Sequence, residues 1–183
     1  MDRNGEHHTI VALVEDLPGV LTRIASMFRR RGFNIASLAV GKSERPGLSR
    51  MTFVVSGDQE TVYQVTKQLD KLIDVILVSD ISTEAIVSRE LALIKVKTDQ
   101  ATRGEVIQIV QLFRANIVDV GAQSMVIEIT GEEDKINAFG NLLEPFGILE
   151  LLRTGRVAMV RGQTNGRLND SVGVDLGGNG FGD

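Results

Sequence analysis

The sequence predicts an α+β protein made of two tandem βαββαβ units, and two observations support this prediction. Apolar segments of strand length alternate with amphipathic helical segments in the same order twice along the chain. The two halves also align at two fixed offsets: Asn34 falls on Asn116 before the hairpins, and Gly57 falls on Gly131 after them. This element order is typical of ferredoxin-like folds. Two unrelated small domains with similar element lengths are the alternative.

The first unit is predicted over residues 9–82. Its expected elements are a strand over 9–15, a helix from Val20 to Arg31, strands over 33–42 and 49–56, a helix after Asp58 and a strand over 73–81. The turn before the first helix contains Pro18 and Gly19, and Gly32 ends that helix. Residues 1–8 are interpreted as an N-terminal extension.

The second unit is predicted over residues 83–162, as a ferredoxin-like domain. Its expected elements are a strand over 90–97, a helix after Thr102, strands over 116–122 and 124–131, a helix after Gly131 and an extended stretch from Ile148 to Arg161 that breaks near Gly155. Thr102 and Glu105 have the spacing of a capping box. The remaining segment, 163–183, is rich in glycine and poor in apolar residues, which predicts a flexible, disordered tail.

Composition excludes several classes of function. The 183 residues include no cysteine, which rules out thiolate metal sites, iron–sulfur clusters and a cysteine nucleophile. The net charge of −4 gives no basic footprint for nucleic acid. No apolar stretch is long enough to span a bilayer, and the first residues lack an apolar signal core. We therefore expect a cytoplasmic protein that binds neither nucleic acid nor membrane.

Catalytic groups are scarce along the chain. His7 and His8 are the two histidines, and their place near the N-terminus predicts a solvated pair rather than a metal or acid–base site. No phosphate-binding glycine motif follows a strand. We therefore expect no catalytic residue, no metal ligand and no cofactor site on this chain. Arg153, Arg156 and Arg161 are interpreted either as a partner surface or as an ordinary charged edge.

The predicted strands indicate a protein that works by association. A sheet with helices on one face usually has strands that alternate apolar and polar residues. Residues 10–14 and 75–78 are instead apolar throughout. The other half of the chain, a second copy or a different protein is expected to cover the far faces of the sheets. Short central strands that are simply apolar on both sides are the alternative.

One loop has the chemistry of a small-molecule site. Pro18 and Gly19 expose the backbone amides at a helix start, where a carboxylate is favoured. Asp16 offers a partner for an ammonium group, and Asn34 offers both a donor and an acceptor. These groups together suit a free α-amino acid. The second unit has Gln100 and Ala101 at the positions of Pro18 and Gly19, so only the first unit is expected to bind.

At this loop the sequence resembles the ACT-domain family of amino-acid-binding modules, whose loop reads D-x-P-G-x-L. Five further segments extend the resemblance to the small regulatory subunits of acetolactate synthase over residues 8–162. The segments are Arg31-Gly32-Phe33-Asn34-Ile35-Ala36-Ser37-Leu38, Leu48-Ser49-Arg50-Met51-Thr52, Gln68-Leu69-Asp70-Lys71-Leu72-Ile73-Asp74-Val75, Arg89-Glu90-Leu91-Ala92-Leu93-Ile94-Lys95-Val96 and Thr154-Gly155-Arg156-Val157-Ala158-Met159-Val160-Arg161-Gly162.

The resemblance implies a first unit that is an ACT domain, pairs with a second copy into a homodimer, and binds valine in the dimer interface. The implied effector-binding residues are Asp16, Pro18, Gly19, Val20, Leu21, Asn34 and Ile35. It also implies a partner, the catalytic large subunit, which the small subunit activates and subjects to feedback inhibition. Thiamine diphosphate, magnesium and FAD are then expected on that catalytic subunit.

Two rival functions share the predicted fold. An ACT-type sensor that regulates another amino-acid pathway enzyme would have the same effector loop. An RNA-recognition domain would have the same element order and would stack bases on aromatic residues of its third strand. Phe53 is the aromatic residue on that strand here, which disfavours the RNA-binding alternative.

Overall fold

A computed structural model of the chain describes residues 7–162 and confirms the two βαββαβ units. The predicted tail, residues 163–183, lies outside the described residues, as does most of the predicted N-terminal extension. Within the described residues, no helix is long and apolar enough to cross a membrane.

The first module comprises four strands and two helices. They are β1 (His7–Glu15), α1 (Val20–Arg31), β2 (Asn34–Lys42), β3 (Leu48–Ser56), α2 (Gln59–Leu69) and β4 (Val75–Asp80). The antiparallel sheet has the order β2-β3-β1-β4, so β2 and β4 are its edges. Alternate residues of β1, namely Ile10, Ala12 and Val14, join apolar residues of both helices in one core. Both helices therefore pack on the same face of the sheet.

The second module repeats this architecture and adds one strand. Its elements are β5 (Ile86–Lys97), α3 (Arg103–Leu112), β6 (Asn116–Val120), β7 (Ser124–Gly131), α4 (Glu133–Leu143), a short 3-10 turn (Glu144–Phe146), β8 (Ile148–Arg153) and β9 (Val157–Val160). The sheet order β6-β7-β5-β8 matches that of the first module, and β9 pairs with the first part of β5. A second core lies between this sheet and its two helices.

The two sheets are irregular at equivalent positions, as judged by the offset that aligns Asn34 with Asn116. The pairing of β2 with β3 shifts register between Ile35 and Ser37, and the pairing of β6 with β7 shifts between Ile117 and Asp119. A second pair of shifts, in β1 and β5, obeys the same offset. A bulge is a specific local geometry. Its recurrence at equivalent positions supports a true internal repeat over the alternative of two unrelated domains.

Two strands begin earlier than the sequence predicts. β1 starts at His7, because His7 and His8 pair with Ser56 and Val55 of β3. His8 is buried, with 6% of its surface exposed. The expectation of a solvated histidine pair is therefore wrong for His8, whereas His7 is exposed although it belongs to β1. β5 starts at Ile86 rather than residue 90, because its first four residues pair with β9.

The second half of the chain covers part of the far face of the first sheet, which was one of the predicted alternatives. Val11 points away from the helices and is 1% exposed. It packs in a small cluster with Ile81 of the connecting segment and Ala158 of β9. Burial of such apolar surface stabilises the contact between the modules. The apolar character of both faces of β1 thus has an intramolecular cause.

Candidate functional site

The loop between β1 and α1 is solvent-exposed and is anchored to the β2–β3 hairpin. Residues 16–19 are all exposed. The amide of Asp16 donates to the carbonyl of Gly47 at 2.9 Å, and its carboxylate accepts a hydrogen bond from Ser49 Oγ at 3.2 Å. Asp16 is therefore held in place by the hairpin, and it remains at the surface beside the start of α1.

Gly19 shapes the start of α1. Its φ of +89° lies in the left-handed region, which glycine adopts at no steric cost. Gly19 has no side chain with which to cap the helix, and the first turn carries no acidic residue. The first amides of a helix have no partners within the helix. The partial positive charge of this helix start thus faces solvent without an acidic group supplied by the first turn.

The equivalent loop of the second module is closed by its own aspartate. Asp99 Oδ1 accepts hydrogen bonds from the amides of Ala101 and Thr102 at 2.9 and 2.8 Å. These bonds, first that from the Thr102 amide, hold the pKa of Asp99 below its ordinary value. The first offset of the repeat places Leu17 on Asp99. The carboxylate that closes the second loop is therefore missing from the first.

The predicted capping box at Thr102 is wrong. Thr102 makes no side-chain cap of α3. Its hydroxyl donates to Asp99 Oδ1 and accepts from the Asp99 amide, so the aspartate three residues upstream organises the loop instead. An Asp that bonds amides two and three residues ahead is a common turn. The spacing Asp99-x-x-Thr102 in the sequence is typical of such a turn, and it involves the same threonine as the capping-box pattern.

Val20 and Leu21 have different surroundings. Val20 is 4% exposed and packs in the first core. Its side chain therefore belongs to the core, and its amide donates to the carbonyl of Leu17 at 3.4 Å. Leu21 is 49% exposed, and the neighbouring Leu17 is 56% exposed. These two leucines give the loop an apolar rim suited to an aliphatic side chain.

A single chain places Asn34 and Ile35 at the opposite end of the module from the loop. Asn34 pairs with Ser56, and Ser56 pairs with His7, at the first residue of β1. The loop follows the last residue of β1, so the length of α1, about 18 Å at the usual helical rise, separates the two groups. Asn34 is exposed at the edge strand, and Ile35 packs against the core.

An ion pair beside the loop has no signal in the sequence. Arg23, in the first turns of α1, contacts Asp74 through Nε and Nη2 at 2.5 and 2.7 Å. Its hydrogen bond to the Asp74 carboxylate raises the pKa of Arg23. The amide of Glu15 donates to the carbonyl of Asp74, which ties the loop base to the start of β4. Asp74 is nearly buried, and only the fold brings it to Arg23.

The three arginines near the C-terminal strands bind within the chain. Arg153 forms two hydrogen bonds with the Glu90 carboxylate, at 2.9 and 2.6 Å, which raise the pKa of Arg153. Arg156 contacts both modules, as described below. Arg161 donates to the carbonyl of Ile86. The interpretation of this cluster as a free partner surface is thus unsupported for Arg153 and Arg156.

The aromatic residue that RNA binding would require is inaccessible. Phe53 is 0% exposed and stacks on Phe28 of α1, with ring centroids 5.4 Å apart. Its side chain faces the helices rather than the open face of the sheet. Bases cannot stack on a ring in this position. The buried position of Phe53 therefore disfavours the RNA-binding alternative further.

Comparisons with known proteins agree across both modules. Residues 10–77 match the family described as the AHAS small subunit-like ACT domain, and residues 89–162 match the family described as the small subunit of acetolactate synthase. The probable acetolactate synthase small subunit of Archaeoglobus fulgidus is 59% identical over 155 residues, which are 85% of this chain and 97% of that protein.

A second curated relative and one solved structure agree with this match. The acetolactate synthase small subunit of Mycolicibacterium smegmatis is 53% identical over 85% of this chain and 91% of its own length. The crystal structure of the Thermotoga maritima small subunit has 44% identity and a TM-score of 0.80, and covers 86% of this chain and 99% of that one. The chain belongs to the family of acetolactate synthase small subunits, which are regulatory subunits with an N-terminal ACT domain.

Proposed function

We propose that this chain activates the catalytic large subunit of acetolactate synthase and makes it sensitive to feedback inhibition by valine. Membership of the small-subunit family supports the choice of partner. Thiamine diphosphate, magnesium and FAD are then bound by the catalytic subunit, and the complex is cytoplasmic. The role of this chain is to bind the effector and change the activity of its partner.

The contrast between the two loops is the observation that supports the effector site. In the second module, the Asp99 carboxylate accepts hydrogen bonds from the two amides that correspond to those of Gly19 and Val20. This carboxylate occupies the place that an amino acid's carboxylate would take in the first module. In the first module Leu17 supplies no carboxylate, and the Val20 amide makes only a long hydrogen bond of 3.4 Å to the Leu17 carbonyl. The first loop is therefore suited to an external carboxylate that would replace this bond, whereas the corresponding amides of the second loop are already bonded to Asp99.

The ends of valine would meet different groups. Its carboxylate would accept from the amides at the start of α1, where the helix dipole favours an anion. Its ammonium group would lie near the Asp16 carboxylate, which retains acceptor capacity beside its bond from Ser49. Leu17 and Leu21 would contact its aliphatic side chain. This arrangement selects a small apolar amino acid by both charge and shape.

A second copy would complete the site. β2 is an edge strand, and antiparallel pairing of two β2 strands in the register centred on Leu38 would bring Asn34 of the partner opposite Lys42. Lys42 pairs with Ser49, which contacts Asp16. The partner's Asn34 would thus approach the loop that its own chain places too far away. The homodimer interface and the valine site would then be the same place, so valine would favour one packing of the dimer.

The function is tested by measuring acetolactate formation by the catalytic large subunit with and without this chain, across a valine titration. We expect the chain to raise the rate, and we expect valine to reduce only the rate of the complex. Unchanged activity on adding the chain would contradict the proposal that it activates the large subunit.

Binding of valine by this chain alone is tested by thermal melting. A ligand that binds the folded state stabilises it by RT ln(1 + [L]/Kd), about 2.7 kcal/mol at a hundredfold excess over Kd. We expect valine to raise the melting temperature and D-valine to do so less. No shift with valine, leucine or isoleucine would contradict effector binding by the isolated subunit.

A further inference from the structure

Besides the apolar cluster around Val11, the two modules contact each other at a short segment, Thr154-Gly155-Arg156, between β8 and β9. The backbone amide of Arg156 donates to Ser37 Oγ of β2 at 2.9 Å. Its guanidinium donates from Nη1 to Thr9 Oγ1 of β1 at 3.2 Å, and from Nη2 to Glu133 of α4 at 2.6 Å. One residue of the second module therefore bonds two strands of the first module and one helix of the second.

Gly155 brings this segment into close contact with β2. A Cβ atom at Gly155 would lie 2.7 Å from Ser37 Oγ and 3.3 Å from the carbonyl oxygen of Leu38. Its φ of +82° also lies in the left-handed region. Both the space and the backbone conformation require glycine here. The segment is therefore packed so closely against β2 that a movement of β2 would displace it.

The contact on β2 lies directly beyond the bulge. The register of β2 shifts between Ile35 and Ser37, so the strand has a local irregularity between the proposed effector residues and the residue that Arg156 contacts. Asn34 and Ile35 lie on one side of this bulge, and Ser37 lies on the other. A bulge leaves one residue out of the hydrogen-bond ladder and bends its strand locally.

At the other end, Arg156 reaches the start of α4. Glu133 is the first residue of that helix, and its side chain is 43% exposed whereas that of Arg156 is 22% exposed, so the ion pair is shielded from solvent on the Arg156 side only. Thr9, which shares the guanidinium, is 2% exposed. A planar guanidinium holds two acceptors in fixed directions, which an ammonium group cannot do. The arrangement links the position of β2 to the start of α4.

From these contacts we infer that Gly155 and Arg156 couple the two modules, so that a change at β2 of the effector module is transmitted through Arg156 to α4 of the second module. Arg156 is a positioning residue and does not contact the effector. This inference rests on the proposed function only for the identity of the effector. It assigns the second module a part in the response to valine, although its own loop is closed.

The coupling is tested by hydrogen–deuterium exchange on the full chain, with and without valine. In the native chain, valine should slow exchange both in β2 and in α4. In Arg156→Ala, we expect the valine Kd and the valine-induced slowing of exchange in β2 to be unchanged. The valine-induced slowing of exchange in α4 should fall about fivefold or more. Arg156→Lys should behave like Arg156→Ala. Arg103→Ala is the matched control, because Arg103 bonds carbonyls of its own module.

A second arm does not depend on valine. Ala36→Gly loosens β2 at the bulge, and we expect it to raise exchange in α4 when Arg156 is present and to leave α4 unchanged in the Arg156→Ala background. If Arg156→Ala does not fold, Ser37→Ala can replace it as the uncoupled background. This substitution removes the acceptor of the Arg156 amide on β2 with minimal change in volume. An α4 response that survives in both backgrounds would overturn the inference. If valine leaves β2 itself unchanged, the effector proposal fails, and this second arm still decides the coupling.

Discussion

The two modules share one fold and differ in how each completes its first helix start. In the second module, Asp99 accepts the hydrogen bonds of the amides at the loop. In the first module, Leu17 stands at the equivalent position, and Gly19 adopts a left-handed conformation with no side chain. The difference is one carboxylate. Under the proposed function, the repeat is a structural unit in one copy and a ligand site in the other without a change of topology.

The largest effect is expected from giving the first loop the carboxylate of the second. Leu17→Asp should let the new side chain accept from the amides of Gly19 and Val20, as Asp99 does in its own loop. Hydrogen bonds to charged groups are worth about 1.5–3 kcal/mol each, so competition for two of them should weaken valine binding about a hundredfold. Isothermal titration calorimetry measures the valine Kd of each variant. Leu17→Ala, which removes the side chain without adding a carboxylate, should bind valine far more tightly than Leu17→Asp. An equal loss of valine affinity in both variants would contradict the comparison of the two loops.

Gly19→Asp should abolish valine inhibition while activation of the catalytic subunit survives. The φ of +89° strains any other residue, by about 1–2 kcal/mol, and the added carboxylate would lie beside the amides that valine requires. The assay is acetolactate formation by the complex with and without valine. Gly147→Asp is the matched control, since Gly147 has a φ of +93° and lies in the second module, away from the loop and from Asn34. Equal loss of inhibition in both variants would mean that general backbone strain, rather than the loop, is responsible.

Asn34→Ala should have an intermediate effect. Loss of one hydrogen bond to a charged group of the effector should raise the valine concentration for half-inhibition about tenfold, with activation unchanged. A mixed dimer sharpens the test, because in the proposed dimer each site would take Asn34 from the other chain. Dimers of Asn34→Ala with Gly19→Asp should therefore retain one intact site. Complete loss of valine binding in such dimers would contradict a site shared between chains.

The smallest effect is expected from opening the second loop. Hydrogen bonds lower the folded-state pKa of Asp99 below its ordinary value of 3.8. Its contribution to stability is therefore present above that ordinary value and is lost as pH falls through the lowered folded-state pKa. Asp99→Ala should lower the melting temperature at pH 7, and the difference from the native chain should shrink below pH 3.8. A constant difference across this range would show that the Asp99 charge is not involved.

Sequence periodicity was sufficient for the fold, because each strand and helix has its own local signal. The alternation of segments, the offsets of the repeat and the ends of α1 at Gly19 and Gly32 are all local features, and the structure confirms them. β9 and the early start of β5 were harder to predict. Residues 86–89 pair with residues 157–160, and that pairing joins segments far apart in the chain.

The site was only partly predictable for the same reason. The exposed loop from Asp16 to Gly19 follows from Pro18 and Gly19, which act locally. The ion pair between Arg23 and Asp74, the contact of Asp16 with Ser49, and the contacts of Arg156 join residues distant in sequence. The separation of Asn34 from the loop also required the fold, because it depends on the direction of α1.

The central claim is that the amides at the start of α1 bind the carboxylate of a free amino acid. Its most direct test is a titration of the isotopically labelled chain, followed by the amide resonances of Gly19 and Val20. Valine should shift both resonances, and valinamide, which lacks the carboxylate, should shift neither, while those of Ala101 and Thr102 stay fixed. Saturable valine binding that leaves Gly19 and Val20 unchanged would contradict the claim.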